Sequence, residues 1–227
     1  MKEFEGDNIQ IDVMASLSVF AIPFHMTYTV YNSGAIKVVC SMNIDKQRIA
    51  ASGSSAGASS SLYLAFHDDM ADPDSSNPVA RESTRLWCAG VRHPQTSLDP
   101  KQLIEWTPNS RYGGHAFGFM DPNDLKTRDS RFKEFLDNRE SLLKWIKMYS
   151  PYELVSRDDP DIYLIYLSPP GIGKEQKDPT HTSNFGVKLQ EHCQDLGVEC
   201  ELVYPGSQDV KHKSFAEYLI IKLKESP

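Results

Sequence analysis

The chain has 227 residues, which suits one α/β domain with a full core better than two small ones. Its formal charge of −7, with no basic stripe interleaved by aromatics, argues against nucleic acid as a partner, and no apolar run is long enough for a membrane span. The four cysteines, Cys40, Cys88, Cys193 and Cys200, form no C-x-x-C and no metal-ligand spacing with histidine, so they read as free thiols and slightly favour a reducing, cytoplasmic setting.

Residues 1–33 carry short β-type runs. Ile9 to Val13 alternates like a strand, and Phe24 to Tyr31 is rich in β-branched and aromatic residues. The apolar piece Met14 to Ile22 imitates a signal-peptide core, but Glu3, Glu5, Asp7 and Asp12 precede it where positive charge is expected, and no A-x-A site follows. Ala35 to Met42 is compatible with a short helix.

Arg48 to Ala51 then reads as a short buried strand, followed by Gly53-Ser54-Ser55-Ala56-Gly57, a G-x-S-x-G pattern, and by apolar residues at helical spacing to Phe66. About one chain in ten of this length holds that pattern by chance, so the flanking strand and helix give it its weight. Chemistry explains the spacing. A serine at the tip of a sharp strand-to-helix turn projects its hydroxyl out of the fold. Gly53 and Gly57 let the two elements pack closely, and the Ala56 N–H faces a developing oxyanion.

Downstream, Asp72 to Pro78 is a loop by composition, and Leu86 to Val91 is the next buried strand. A helix is predicted from Leu98 to Trp106, a Gly-rich aromatic loop over Tyr112 to Gly118, and one helix over Phe132 to Tyr149. This block, about residues 97–150, reads as an insertion between two core strands. Asp161 to Leu167 is the clearest strand, a continuous apolar run suited to a parallel sheet. A loop from Ser168 to Pro179, a helix from Thr182 to Leu196, a strand from Val198 to Tyr204 and a helix from Phe215 to Leu223 complete the chain. Their alternation predicts an α/β fold with a mostly parallel sheet flanked by helices.

A serine hydroxyl needs a base, and the base needs a group to orient it. His212, between the last strand and the last helix, fits the base. Asp178, in the loop after the strongest strand, fits the orienting acid, with Asp158, Asp159, Glu175 and Asp209 as rivals. His181 lies near Asp178 and supports the acid loop. His181, His115 and Gln95 are candidates for a substrate pocket. Trp87, Trp106, Tyr112 and Phe117 fit core packing better than a pocket. No histidine pair is spaced as a zinc site, and neither a metal nor a cofactor is expected.

Asn43 to Gly57, Ser83-Thr84-Arg85-Leu86, Gln95 to Pro100, Asp178-Pro179-Thr180-His181 with Phe185 to Leu189, and Glu199 to Tyr204 with His212 together resemble the esterase/lipase group of α/β-hydrolases, including carbohydrate acetyl-esterase-like members. The resemblance covers roughly residues 34–227 and implies Ser55 as nucleophile, His212 as base and Asp178 as acid. The expected substrate is a small-molecule carboxylic ester carrying a short acyl or acetyl group. Family members carry further strands and an H-G-G-G-type loop upstream of the elbow. Only 54 residues precede Ser55 here, with no H-G-G, and His25 is followed by Met26 and Thr27. The expectation is therefore an N-terminally truncated α/β-hydrolase-like domain at 34–227 behind a divergent segment at 1–33. Either that segment or a second copy of the chain would cover the sheet edge left open. The alternative function is a catalytically weak or inactive homologue that acts as a binding protein.

Overall fold

Strands that pack helices on both faces must be apolar on both faces, and the central runs of this chain are. The computed structural model describes residues 17–21, 27–28, 45, 47–120 and 124–225. Among these, β1 (Leu17–Ala21), β2 (Thr27–Tyr28), β3 (Ile49–Ser54), β4 (Cys88–Arg92), β5 (Asp161–Ile165) and β6 (Cys200–Val203) form one sheet in the order β2-β1-β3-β4-β5-β6. The strands from β3 to β6 are parallel, in a register that sets Ser52 beside Gly90, Gly90 beside Tyr163 and Tyr163 beside Glu201. The sheet is thus mostly parallel and flanked by helices, as the alternation of elements predicts.

Alternation along each strand sends side chains to two cores. Ala89, Val91, Ile162, Leu164 and Leu202 pack against α1 (Ala56–Phe66) and α6 (Asn184–Leu196) on one face. Ala50, Cys88 and Tyr163 pack against Tyr218, Leu219 and Leu223 of α7 (Phe215–Lys224) on the other. Contact on the first face is close at Gly186 of α6, where a Cβ would lie 2.5 Å from the Tyr166 ring and 2.6 Å from Leu202.

β1 runs antiparallel to β3 and β2 antiparallel to β1. Residues from the N-terminal segment therefore cover the outer edge of the elbow strand. The other N-terminal runs, with Ala35 to Met42, His25 and Cys40, lie outside the described residues.

Between β4 and β5 run α2 (Pro100–Trp106), a 3₁₀ turn (Gly114–Phe117), α3 (Arg128–Asp137), α4 (Arg139–Tyr149) and the short α5 (Pro151–Leu154). The single helix predicted over 132–149 is broken at Asn138, whose side-chain amide donates to the Glu134 carbonyl at 2.8 Å. Side-chain competition for backbone groups explains the break. It aims Arg139 at Asp99, the residue that caps α2, and the two meet in a bidentate pair at 2.7 and 2.6 Å. Burial acts to raise the Asp99 pKa, but the Arg139 guanidinium outweighs it and holds the carboxyl below its ordinary value.

Candidate active site

β3 ends at Ser54, and the next residue makes the turn. Ser55 has φ 52° and ψ −121°, a conformation that costs a residue with a Cβ about 1–3 kcal/mol. Backbone bonds hold it there. The Ser55 N–H donates to the Arg92 carbonyl at 3.0 Å, and the Ser55 carbonyl accepts from the Ser59 N–H at 3.0 Å, the first bond of α1. Ser55 stands at the N-cap of α1, yet its hydroxyl makes no capping bond. It points instead to the Nε2 atom of His181, 2.9 Å away. Gly53 lies within β3 and Gly57 is buried in the first turn of α1, as the elbow pattern requires. The Ala56 N–H, on that same turn, has no hydrogen-bond partner among the described residues. Most of residues 1–46, where an H-G-G-G-type loop would supply a second oxyanion donor, lie outside the described residues.

His181 and Asp178 belong to the loop after β5, at the carboxyl ends of the parallel strands, where open α/β sheets place their sites. The loop is tied on three sides. Gln176 and Asn109 exchange bonds of 3.0 and 2.9 Å. Gly171 donates to Asn184 at the start of α6 at 2.7 Å, and the Gln95 amide donates to the Thr180 carbonyl at 3.0 Å. One Asp178 oxygen accepts from the backbone N–H groups of Thr180 and His181, at 3.1 and 3.2 Å. The other lies 2.9 Å from His181 Nδ1. Burial works to raise the Asp178 pKa, but these bonds from the His181 ring and the backbone outweigh it and hold the carboxyl below its usual value. An ionised carboxylate only accepts, so Nδ1 carries the proton and Nε2 is left to accept from Ser55. Ser55, His181 and Asp178 therefore form one directed hydrogen-bond chain, the arrangement that turns a hydroxyl into a nucleophile.

The bond to Ser55 that sequence order assigned to His212 is made by His181. His212 is held elsewhere: its Nδ1 lies 2.5 Å from Glu201, and its ring packs edge-on against Tyr218 of α7. Glu201 is level with Ser52, below the strand ends, and β6 is three strand spacings from β3, roughly 14 Å at about 4.8 Å each. Its neighbour Tyr163 faces α7 and donates to the His212 carbonyl, so the Glu201–His212 pair is held on the α7 face of the sheet.

The structure also corrects two pocket expectations. Gln95 is buried; its amide also lies 3.3 Å from the His93 carbonyl, and its backbone N–H donates to Ser59 Oγ, so it clamps the His181 loop to α1 and is not among the residues lining the cavity at Ser55. His115 sits in the 3₁₀ turn against the Tyr112 ring, away from the cavity at Ser55. That cavity, of about 760 Å³, is lined by Ser55, His93, Leu167, Asp178 and His181 among others.

His93 is the residue the sequence did not single out. It has φ 51°, its ring centroid lies 6.2 Å from that of His181, and its Nε2 is buried without a partner. Burial first, then the charges of Arg92 and His181, lower its pKa. Its signal was its place two residues after the strand run ending at Val91. Among the described residues no group of three or more His, Cys, Asp or Glu could hold a metal ion, and no helix is long and apolar enough to cross a membrane.

No model of a known protein family and no curated protein matches the chain. Solved structures are similar at low identity. An acetyl ester-xyloside bifunctional hydrolase from Caldicellulosiruptor lactoaceticus is 18% identical, over 67% of this chain and 44% of that one, with a TM-score of 0.43. A truncated carbohydrate esterase from gut microbiota is 16% identical over 75% and 57%, with a TM-score of 0.44. A thermophilic esterase from the Planctomycetes species Thermogutta terrifontis is 22% identical over 68% and 42%, with a TM-score of 0.40. The chain spans about half the length of these structures. On its own geometry, with four parallel strands between helices and α1 rising from a strained serine at the end of β3, the chain has an α/β-hydrolase-like fold.

Proposed function

We propose that the chain is a serine hydrolase that cleaves carboxylic esters of short acyl groups. One observation carries the reading: Ser55 Oγ lies 2.9 Å from His181 Nε2, and His181 Nδ1 lies 2.9 Å from Asp178. In the proposed reaction His181 takes the Ser55 proton on Nε2 as Oγ bonds to the ester carbonyl carbon. The charge that develops on the carbonyl oxygen faces the Ala56 N–H and the positive end of α1. The imidazolium then gives its proton to the leaving alcohol as the C–O bond breaks, leaving the acyl group on Ser55. Water, deprotonated by His181, attacks the acyl carbon. Its proton returns from His181 to Ser55 Oγ as the carboxylic acid departs. Asp178 keeps its charge throughout and holds the ring in the tautomer that both steps need.

The test is hydrolysis of short-chain p-nitrophenyl esters by the purified chain beside Ser55→Ala and His181→Ala. Turnover that vanishes in both variants supports the reading. Equal rates in all three folded proteins overturn it.

A further inference from the structure

The cavity at Ser55 has a charge imbalance that ester hydrolysis does not use. Arg128, at the start of α3, and Lys177, next to Asp178, both line it. Arg48, Arg85, Arg111, Arg131 and Arg139 each sit in an ion pair with a carboxylate. Arg128 is half-buried, and neither it nor Lys177 has a hydrogen bond or ion pair among the described residues, although the chain as a whole carries a charge of −7. The carboxylate in the same cavity offsets only one of the two charges, and its oxygens are already taken. Asp178 is committed to the His181 ring and two backbone N–H groups. A half-buried guanidinium has lost part of its hydration and presents a planar fork of donors that matches a carboxylate in two bonds.

We infer that this cavity binds esters whose acyl or alcohol part itself carries a carboxylate, with Arg128 as its main contact and Lys177 as a second charge. The turnover part of this inference rests on the ester-hydrolase reading above; the anion-binding part does not. The two cations come from different elements, α3 and the β5–α6 loop, and the second element also supplies Asp178 and His181. A substrate held by its carboxylate would therefore be fixed relative to Ser55 as well as attracted to it.

Two measurements separate the inference from the reading on which it builds. The first compares kcat/KM for matched esters: mono-p-nitrophenyl glutarate against p-nitrophenyl butyrate, and acetylated glucuronic acid against acetylated methyl glucoside. In at least one pair the anionic member should be preferred. Arg128→Gln should shrink that ratio on the order of tenfold, the size of a lost charge-assisted hydrogen bond. Arg128→Lys should restore part of it. Lys174→Gln, on the same loop but outside the cavity lining, should leave it unchanged. The second titrates monoethyl glutarate into Ser55→Ala and into the Ser55→Ala/Arg128→Gln double variant by calorimetry, with binding weakened about tenfold in the double variant. Equal binding by the two variants, or no anionic preference in either ester pair, overturns the inference. Binding that depends on Arg128 in a chain that hydrolyses no ester would leave the anion site standing and sink the hydrolase reading instead.

Discussion

Two histidine–carboxylate pairs in this molecule are built to one template. In each, one carboxylate oxygen accepts two consecutive backbone N–H groups and the other faces the Nδ1 of the second residue's ring: Asp178 with Thr180 and His181, and Glu201 with Lys211 and His212. Their surroundings differ. The first pair lies at the carboxyl ends of the strands, with side chains 61% and 35% exposed and a serine at the free nitrogen. The second lies under α7, with side chains 9% and 14% exposed. A ring oriented by a carboxylate is a common device. It becomes chemistry only where the ring's other nitrogen meets a nucleophile and substrate can enter.

The contrast is broken most directly by kinetics. On the proposed function, Ser55→Ala or His181→Ala should cost on the order of 10⁴-fold or more in kcat for a short-chain ester. His212→Asn should cost little, once the variant is shown to be folded by circular dichroism. Loss of turnover in His212→Asn with turnover kept in His181→Ala would reverse the assignment of the two pairs.

The two carboxylates sharpen it. Asp178→Asn should lower kcat by about 10²–10⁴-fold, because the ring loses the partner that fixes its tautomer. Glu201→Gln should leave kcat near wild type and destabilise the fold by about 2 kcal/mol, read as a lower urea midpoint. There the loss is of a nearly buried pair that ties the loop before α7 to β6. Similar effects of the two substitutions, in either assay, would show that the pairs are not functionally distinct.

Much of this was legible before the structure, and the rest was not for a physical reason. The elbow declared itself because G-x-S-x-G sits between an apolar strand and a helical pattern. Asp178 declared itself as a loop acid after the strongest strand. The order Ser, Asp, His, however, is met by His181 and by His212 alike, and sequence order does not say on which face of a sheet a side chain lies. A clue was present in Glu199-Cys200-Glu201-Leu202-Val203. Cys200 and Leu202 face α6, so Glu201 turns toward the α7 side, where a nearly buried carboxylate needs a partner, and His212 supplies it. The break at Asn138 was hidden because helical periodicity continues across it. That Arg128 has no ion pair among the described residues cannot be read from a sequence at all, since it depends on which carboxylates come near.

The smallest expected effect concerns stability at Asp178 and gives the comparison its finest test. The folded-state pKa of this carboxyl is lowered. A lowered carboxyl contributes stability above its unfolded pKa of about 3.9 and loses that contribution as pH falls through the lower folded value. The side chain is 61% exposed, so solvent screening keeps the contribution toward the low end of the 0–1 kcal/mol range of surface pairs. Asp178→Asn should therefore shift the unfolding midpoint barely at neutral pH and not at all once the medium is more acidic than the folded pKa. The carboxylate stays ionised throughout mildly acidic conditions, so protonation of Asp178 does not account for a fall in ester hydrolysis between neutral pH and about pH 5. Thermal melts of wild type and Asp178→Asn across this range check the point. A large stability gap at neutral pH would mean that Asp178 holds up the loop as Glu201 holds up its own, and the loss of kcat in the variant could no longer be assigned to orientation of His181 alone.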